Sequence, residues 1–125
     1  PGQDKKRLLP YIIHTLKNGE QIRLDDTSSV LDWVSTRDIA SAISWILRND
    51  TPTEVDIGTT VGFTNIELLK RLESFLGETF QWTRFVEKSI NKNQVSIVGK
   101  DSPLFTSGWR PSDDLDSGMK WILGL

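Results

Sequence analysis

Helical and strand-like periodicities alternate along this chain, and that alternation restricts its fold more than any other feature of the sequence. After the polar opening Gln3-Asp4-Lys5-Lys6-Arg7, the apolar residues Leu8, Leu9, Ile12, Ile13 and Leu16 recur at helical spacing. Pro10 falls early in this helix, where a missing N–H is tolerated, and Asn18-Gly19 supplies the stop. A short strand is expected over 20–24, a turn over the acidic and serine-rich residues 25–29, and a second strand over 30–34. Ser35 or Thr36 then caps a helix over 37–48, whose apolar face is Ile39, Ala40, Ala42, Ile43, Ile46 and Leu47. A brief strand is expected over 54–57, closed by Gly58. Thr64 and Glu67 have the spacing of a capping box, opening a helix that runs to Leu76 with Gly77 just beyond it. Residues 80–86 alternate like a strand, and Val95, Ile97 and Val98 offer another within 89–99. Ser112 is expected to cap a final helix over 113–123, with Asp113, Asp114 and Asp116 near its positive N-terminal dipole. The class that follows is α/β.

The 125 residues amount to one domain, and without repeats or linkers the expectation is a single unit over 1–125. Fifteen Lys and Arg stand against 17 Asp and Glu, a net charge of −2, which argues against a nucleic-acid or membrane-surface binder. With no cysteine and one histidine, His14, a disulfide scaffold, a thiolate or His-cluster metal site and a cysteine nucleophile are all excluded. No apolar run approaches the roughly 20 residues of a membrane span. The lack of cysteine fits a cytoplasmic location, which is the expectation. The opening Pro1-Gly2-Gln3, with no initiator methionine, predicts a piece excised from a longer chain.

Motif chemistry is sparse. Gly58-Thr59-Thr60-Val61-Gly62 is the one glycine-spaced loop between a strand and a helix. It lacks the third glycine of a dinucleotide fingerprint and the Lys-Ser/Thr of a P-loop, and reads as a tight turn. No Gly-x-Ser-x-Gly elbow is present, and Tyr11 is followed four residues later by Thr15 rather than lysine. His14 has no local partner and reads as a solvated or partly buried histidine. Asp25-Asp26 and Asp113-Asp114 read as a turn and a helix start rather than acid/base or metal pairs. Lys5-Lys6-Arg7 before a helix is either a solvated basic loop or a site for a phosphate group. Five tryptophans in so short a chain are expected mostly as core or domain-interface anchors.

Several segments, taken in order, resemble the C-terminal half of extended short-chain dehydrogenases/reductases, the nucleotide-sugar epimerases and dehydratases. Pro1-Gly2-Gln3 resembles the end of that family's Tyr-Gly-Pro-Gly-Gln loop, and Arg7-Leu8-Leu9-Pro10 the Leu-(Ile/Leu)-Pro segment after it. Asn18-Gly19-Glu20-Gln21-Ile22 is similar to the helix end and strand before a Gly-Asp-Gly turn. The stretch Leu31 to Ala40 resembles the Arg-Asp-aromatic-Val block with its later Asp-Val-Ala. Val55-Asp56-Ile57-Gly58 resembles Tyr-Asn-Ile-Gly, and Gly108-Trp109-Arg110-Pro111 with Leu115 and Gly118 resembles the closing pattern.

The resemblance implies the C-terminal part of a Rossmann-type fold, with short mixed strands and about four helices, lacking the N-terminal dinucleotide-binding half. It implies NAD or NADP in the full-length enzyme, with none expected to bind this chain alone and no catalytic residue within it. It places substrate contacts at Arg7, Leu8, Gln21, Ile22, Arg23, Leu24 and Trp33. Arg7 would hold a phosphate, and Leu8 and Ile22 would wall the base. The family's diphosphate-gripping arginine falls at Leu31, which has no hydrogen bond to give. The expected ligand is a nucleotide-sugar or related small molecule, with no nucleic-acid or membrane partner, and a homodimer or pairing with a Rossmann half. Two other readings stand beside it: a non-catalytic α/β interaction module, and part of a reductase acting on a non-nucleotide carbonyl compound.

Overall fold

A computed structural model describes residues 2–50, 54–84 and 93–125. Among these residues the chain forms five helices and five short strands. They are α1 (Leu8–Lys17), β1 (Ile22–Leu24), β2 (Val30–Asp32), α2 (Thr36–Arg48), β3 (Gly62–Thr64), α3 (Asn65–Leu76), β4 (Trp82–Arg84), β5 (Val95–Ser96), α4 (Pro103–Thr106) and α5 (Leu115–Leu123). β1 pairs in parallel with β4, while β2 is the middle strand of the order β3-β2-β5, antiparallel to β3 and parallel to β5. This is an α/β arrangement with mixed sheets, as the alternation predicts.

The helices form where local signals are strong. The Ser35 hydroxyl accepts the Asp38 N–H at 3.0 Å and so caps α2. At α3, the Thr64 hydroxyl accepts the Glu67 N–H while the Glu67 carboxylate accepts the Thr64 N–H at 2.7 Å. Gly77 closes α3 with φ 66°, a left-handed conformation that suits glycine.

Three expectations are corrected. Residues 54–57 form no strand: both edges of β2 are taken by β3 and β5, so the alternating Val55 and Ile57 pack instead against Ala42, Leu104, Phe105 and Trp109. β3 takes the place beside β2, and Gly62 lets it approach, since a Cβ there would meet Val30 Cγ1 at 2.6 Å. The last helix is capped by Asp114, not Ser112, because the N–H and hydroxyl of Ser112 are both given to Asp38, at 2.8 and 2.9 Å. The one-turn helix α4 was not expected at all. Of the strand expected over 80–86, β4 keeps the middle, and residues 85 and 86 lie outside the described residues, as do residues 89–92.

Two apolar clusters hold these elements. The larger joins α1, β1, α3 and α5 through Ile12, Ile22, Leu24, Leu68, Leu69, Leu72 and Met119, all fully or almost fully buried. The second joins α2 to α4 through Ala42, Leu104, Phe105 and Trp109. Here two indoles are fixed by serine hydroxyls: Trp45 Nε1 donates to Ser107 at 3.0 Å and Trp109 Nε1 to Ser41 at 3.1 Å. Trp109 is thus the core anchor expected of it, whereas Trp82 and Trp121 are exposed.

Candidate functional site

Two adjoining clefts open along one wall made by the N-terminal residues, the start of α1 and the end of β2. The first has a volume of about 630 Å³ and the second about 560 Å³; Gln3, Leu9, Asp32 and Trp33 line both.

The first cleft is built by short-range geometry. Asp4 Oδ1 accepts the Lys6 N–H at 2.9 Å and the Asp4 carbonyl accepts the Arg7 N–H at 2.9 Å, a turn that brings Lys6 and Arg7 to the start of α1. Arg7 is the exposed residue before the first turn of α1, and among the described residues its guanidinium has no hydrogen-bond or ion-pair partner. One turn on, the Tyr11 hydroxyl accepts the Arg23 N–H at 3.0 Å and ties α1 to β1. Three exposed cations, Lys6, Arg7 and Arg23, therefore share a rim with the exposed carboxylate Asp25. Apolar Leu8, Leu9, Leu31 and Trp33 form the wall, and Asn65 from α3 also lines the cleft.

Of the residues implied by the resemblance, Arg7, Leu8, Arg23 and Trp33 come together in this cleft. Gln21 is exposed and lines neither cleft. Ile22 and Leu24 are buried in the larger core cluster, so their side chains meet α1 and α3 residues rather than solvent. Gln3, Lys6, Tyr11, Leu31, Asp32 and Asn65 also line the cleft and were not in the implied set. Leu31 carries the family's arginine position, which was the available signal for it. For Asn65 the sequence offers no signal, since it reads as the first residue of a well-capped helix.

Asp32 lines the cleft but is saturated by its own fold. Its Oδ1 accepts the N–H and the hydroxyl of Thr59, and its Oδ2 the N–H groups of Thr60 and Val98 at 3.0 and 3.2 Å. This decides the reading of the glycine-spaced loop. The N–H groups of Thr59 and Thr60 face a carboxylate of the chain itself, and the Val61 N–H goes to the Thr59 hydroxyl at 3.3 Å. A Cβ at Gly58 would meet that carboxylate and Val98. The loop does not fit the phosphates of a dinucleotide; it is a turn built around Asp32.

The second cleft is more apolar, lying between residues 32–36, α2 and α5, with Ile39, Leu115, Met119 and Trp121 along it. Two carboxylates that do not line it brace the start of α2 against the residues before α5. Asp38, fully buried, accepts the Ser112 and Asp113 N–H groups and the Ser112 hydroxyl. Asp113 accepts two N–H groups of Arg37 at 2.8 and 2.9 Å and the Ser35 hydroxyl at 2.7 Å, and the guanidinium lies 4.7 Å over the Trp121 ring. His14 is exposed, and Asn18 Nδ2 donates to its Nδ1 at 3.3 Å. Among the described residues no group of three or more His, Cys, Asp or Glu is placed to hold a metal ion, and no helix is long and apolar enough to cross a membrane.

No protein-family model matches the chain. It is 29% identical over 100 residues to the GDP-mannose 4,6 dehydratase 2 of Caenorhabditis elegans, a match over 79% of this chain and 25% of that protein. In structure it is similar to a dTDP-glucose 4,6-dehydratase from Bacillus anthracis in complex with NAD, with TM-score 0.78 and 21% identity over 99% of this chain and 40% of that one. It is also similar to the UDP-N-acetylglucosamine 4-epimerase of Methanobrevibacter ruminantium in complex with UDP-N-acetylmuramic acid. There the TM-score is 0.79 and the identity 18%, over 99% of this chain and 43% of that one. The chain thus spans a quarter to about two fifths of the length of these relatives. Its fold matches the C-terminal portion of the extended short-chain dehydrogenase/reductase fold of these neighbours.

Proposed function

We infer that this chain binds and positions a nucleoside diphosphate-sugar within an NAD(P)-dependent epimerase, dehydratase or reductase, with the hydride-transfer chemistry supplied by residues outside 1–125. The carrying observation is the first cleft: three cations on an open rim above an apolar wall. Cations at the wet edge suit a diphosphate, and a flat apolar wall with an indole suits a base. Arg7 is the main phosphate group, because its guanidinium is exposed at the start of α1. Arg23 and Lys6 add charge, and Leu8 and Trp33 wall the base. Gln21, Ile22 and Leu24 belong to the proposal as β1 and the residue before it, with contact through the main chain at the two buried positions.

The same reading makes residues 1–125 a single substrate-binding unit, cytoplasmic, and paired with a Rossmann half or with a second copy. NAD or NADP belongs to the larger enzyme, a reading supported by the glycine-spaced turn being filled by the Asp32 carboxylate. The test is Arg7→Ala in the enzyme as its source cell makes it. KM for the nucleotide-sugar should rise by about tenfold with kcat little changed, the loss of one charge-assisted contact. An unchanged KM would remove Arg7 from the site.

A second reading, a non-catalytic interaction module, is favoured by exposed apolar residues on α2, where Leu47 is 80% and Ile43 49% exposed. Calorimetric titration with nucleoside diphosphates separates the two, since a module of that kind self-associates or captures a partner without binding any nucleotide.

A further inference from the structure

Asn18 is the one asparagine of this chain that is followed by glycine. Asn18 and Gly19 are both exposed, in the turn that leads from α1 to β1. Asn18 ends α1 with φ −89° and ψ −3°, and Gly19 follows in the left-handed region with φ 67°. A Cβ at Gly19 would meet nothing within 4 Å, so the fold leaves open space beside it. The Asn18 amide is held at the surface, where Nδ2 donates to His14 Nδ1 at 3.3 Å and to the Glu20 carboxylate at 3.5 Å. The Gly19 N–H donates to the Leu16 carbonyl at 3.0 Å, which keeps the Gly19 nitrogen turned away from the Asn18 side chain. That bond belongs to the last turn of α1, and helix ends are the first part of a helix to fray.

We propose that Asn18 is a site of spontaneous covalent modification, deamidation through a cyclic imide closed with the backbone nitrogen of Gly19. When the end of α1 frays, rotation about the Asn18 Cα–C bond brings the Gly19 nitrogen onto Cγ. A bond forms between them, the nitrogen gives up its proton, and the Cγ–Nδ2 bond breaks with Nδ2 leaving as ammonia. Water then adds to either carbonyl of the imide and a ring C–N bond breaks, which leaves aspartate or isoaspartate at position 18. Water is the only co-reactant. Glycine favours the closure, because a Cβ at the following residue would crowd the attack and restrict the backbone. The product is electrostatically worse than its parent. A neutral donor becomes a carboxylate at the negative end of the α1 dipole, beside the exposed Glu20. The joint from α1 to β1, which the Glu20 N–H closes on the Thr15 carbonyl at 3.0 Å, therefore weakens as the molecule ages.

The test is peptide mapping by mass spectrometry of the purified full chain, incubated at neutral pH and physiological temperature. The peptide carrying Asn18 should gain one mass unit and split into two chromatographic forms, aspartyl and isoaspartyl. The gain should be about tenfold or more faster than at Asn49, which is exposed but precedes Asp50, and than at Asn65, which is buried and precedes Ile66. Asn18→Gln should abolish it, because the longer side chain closes a ring less readily. A synthetic peptide of residues 14–22 gives the rate without the fold. No gain at Asn18 in the time that this peptide takes to convert means that the fold blocks the closure, and overturns the proposal. Equal rates at Asn18 and at either of the other two asparagines overturn it as well, and neither comparison needs a variant to fold. For the consequence, Asn18→Asp should lower Tm by about 2–4 °C, and an unchanged Tm overturns the weakening of the joint.

Discussion

Asp32 and Thr59 are 27 residues apart in the chain, yet one carboxylate oxygen, Asp32 Oδ1, accepts both the backbone N–H of Thr59 at 2.8 Å and its hydroxyl at 2.6 Å. With Thr60 and Val98 bonded to the other oxygen, Asp32 fastens the end of β2 to the turn before β3 and to the residues after β5. Asp32→Ala leaves these donors without a partner. Unfolding by urea should show a loss of about 2–4 kcal/mol with the slope unchanged. A loss below about 0.5 kcal/mol, the level of an ordinary surface change, would show that the turn holds without it.

Leu31 lines the same cleft as Arg7, at the position where the resemblance implies a diphosphate arginine. Leu31→Arg therefore adds a fork of donors beside an anion site. Calorimetry should show nucleoside diphosphate binding tightened by about tenfold, the worth of a charge-assisted bond. No gain would mean that the ligand's charge lies elsewhere, in favour of a non-nucleotide carbonyl substrate.

Leu68 is fully buried where α3 meets the larger core cluster. Leu68→Ala should cost about 2–5 kcal/mol, the transfer loss plus the cavity left behind. Thermal unfolding followed by circular dichroism gives the value, and a shift within error would mean that α3 is not packed as described.

Three carboxyls are held below their ordinary values by hydrogen bonds within the fold. The Ser29 hydroxyl, followed by the N–H groups of Ser29 and Ser28, holds Asp26 below its ordinary value. The Thr64 N–H and hydroxyl do the same for Glu67, and the Ser117 N–H and hydroxyl for Asp114. A carboxyl depressed by folding contributes stability above its unfolded pKa and loses it as pH falls through the folded one. Tm should be flat near neutrality and fall below about pH 4.5, where these groups begin to take up protons. Glu67→Gln should flatten part of that fall, and a Tm constant down to pH 3 would contradict the hydrogen bonds described.

The helices were legible because their determinants are local. Ser35 before Asp38, Thr64 before Glu67 and Gly77 after Leu76 each lie within a few residues of what they cap. Strands were legible only in part, because a strand is decided by its partner. Val55 and Ile57 alternate as well as any strand residue here, but no edge of β2 is left for them, whereas Gly62-Phe63-Thr64 carries little strand signal and gains a place because Gly62 fits against Val30. Ser112 misled for a similar reason: its hydroxyl serves a carboxylate 74 residues earlier. In the cleft, Arg7, Leu8, Arg23 and Trp33 could be found from ordered family likeness. Asn65 could not, because its burial and its bond to the Asp26 carbonyl come from a turn 39 residues before it.

The two parallel pairings carry a consequence for how this molecule comes into being. Ile22 lies opposite Trp82, and Val30 opposite Val95. Each strand beneath the first cleft thus has a parallel partner about half the chain away. Helices α1, α2 and α3 can form as soon as they are made, since their bonds are local, but the loops that must close around β1 and β2 are long and their entropy is lost before any contact rewards it. On the ribosome, β3 reaches β2 first, and the wall bearing Arg23 and Trp33 stays without its parallel neighbours until β4 and then β5 have emerged. The sheets beneath the first cleft are therefore completed only after three of the five helices have been made, and how long that wall stays uncovered during synthesis depends on translation speed.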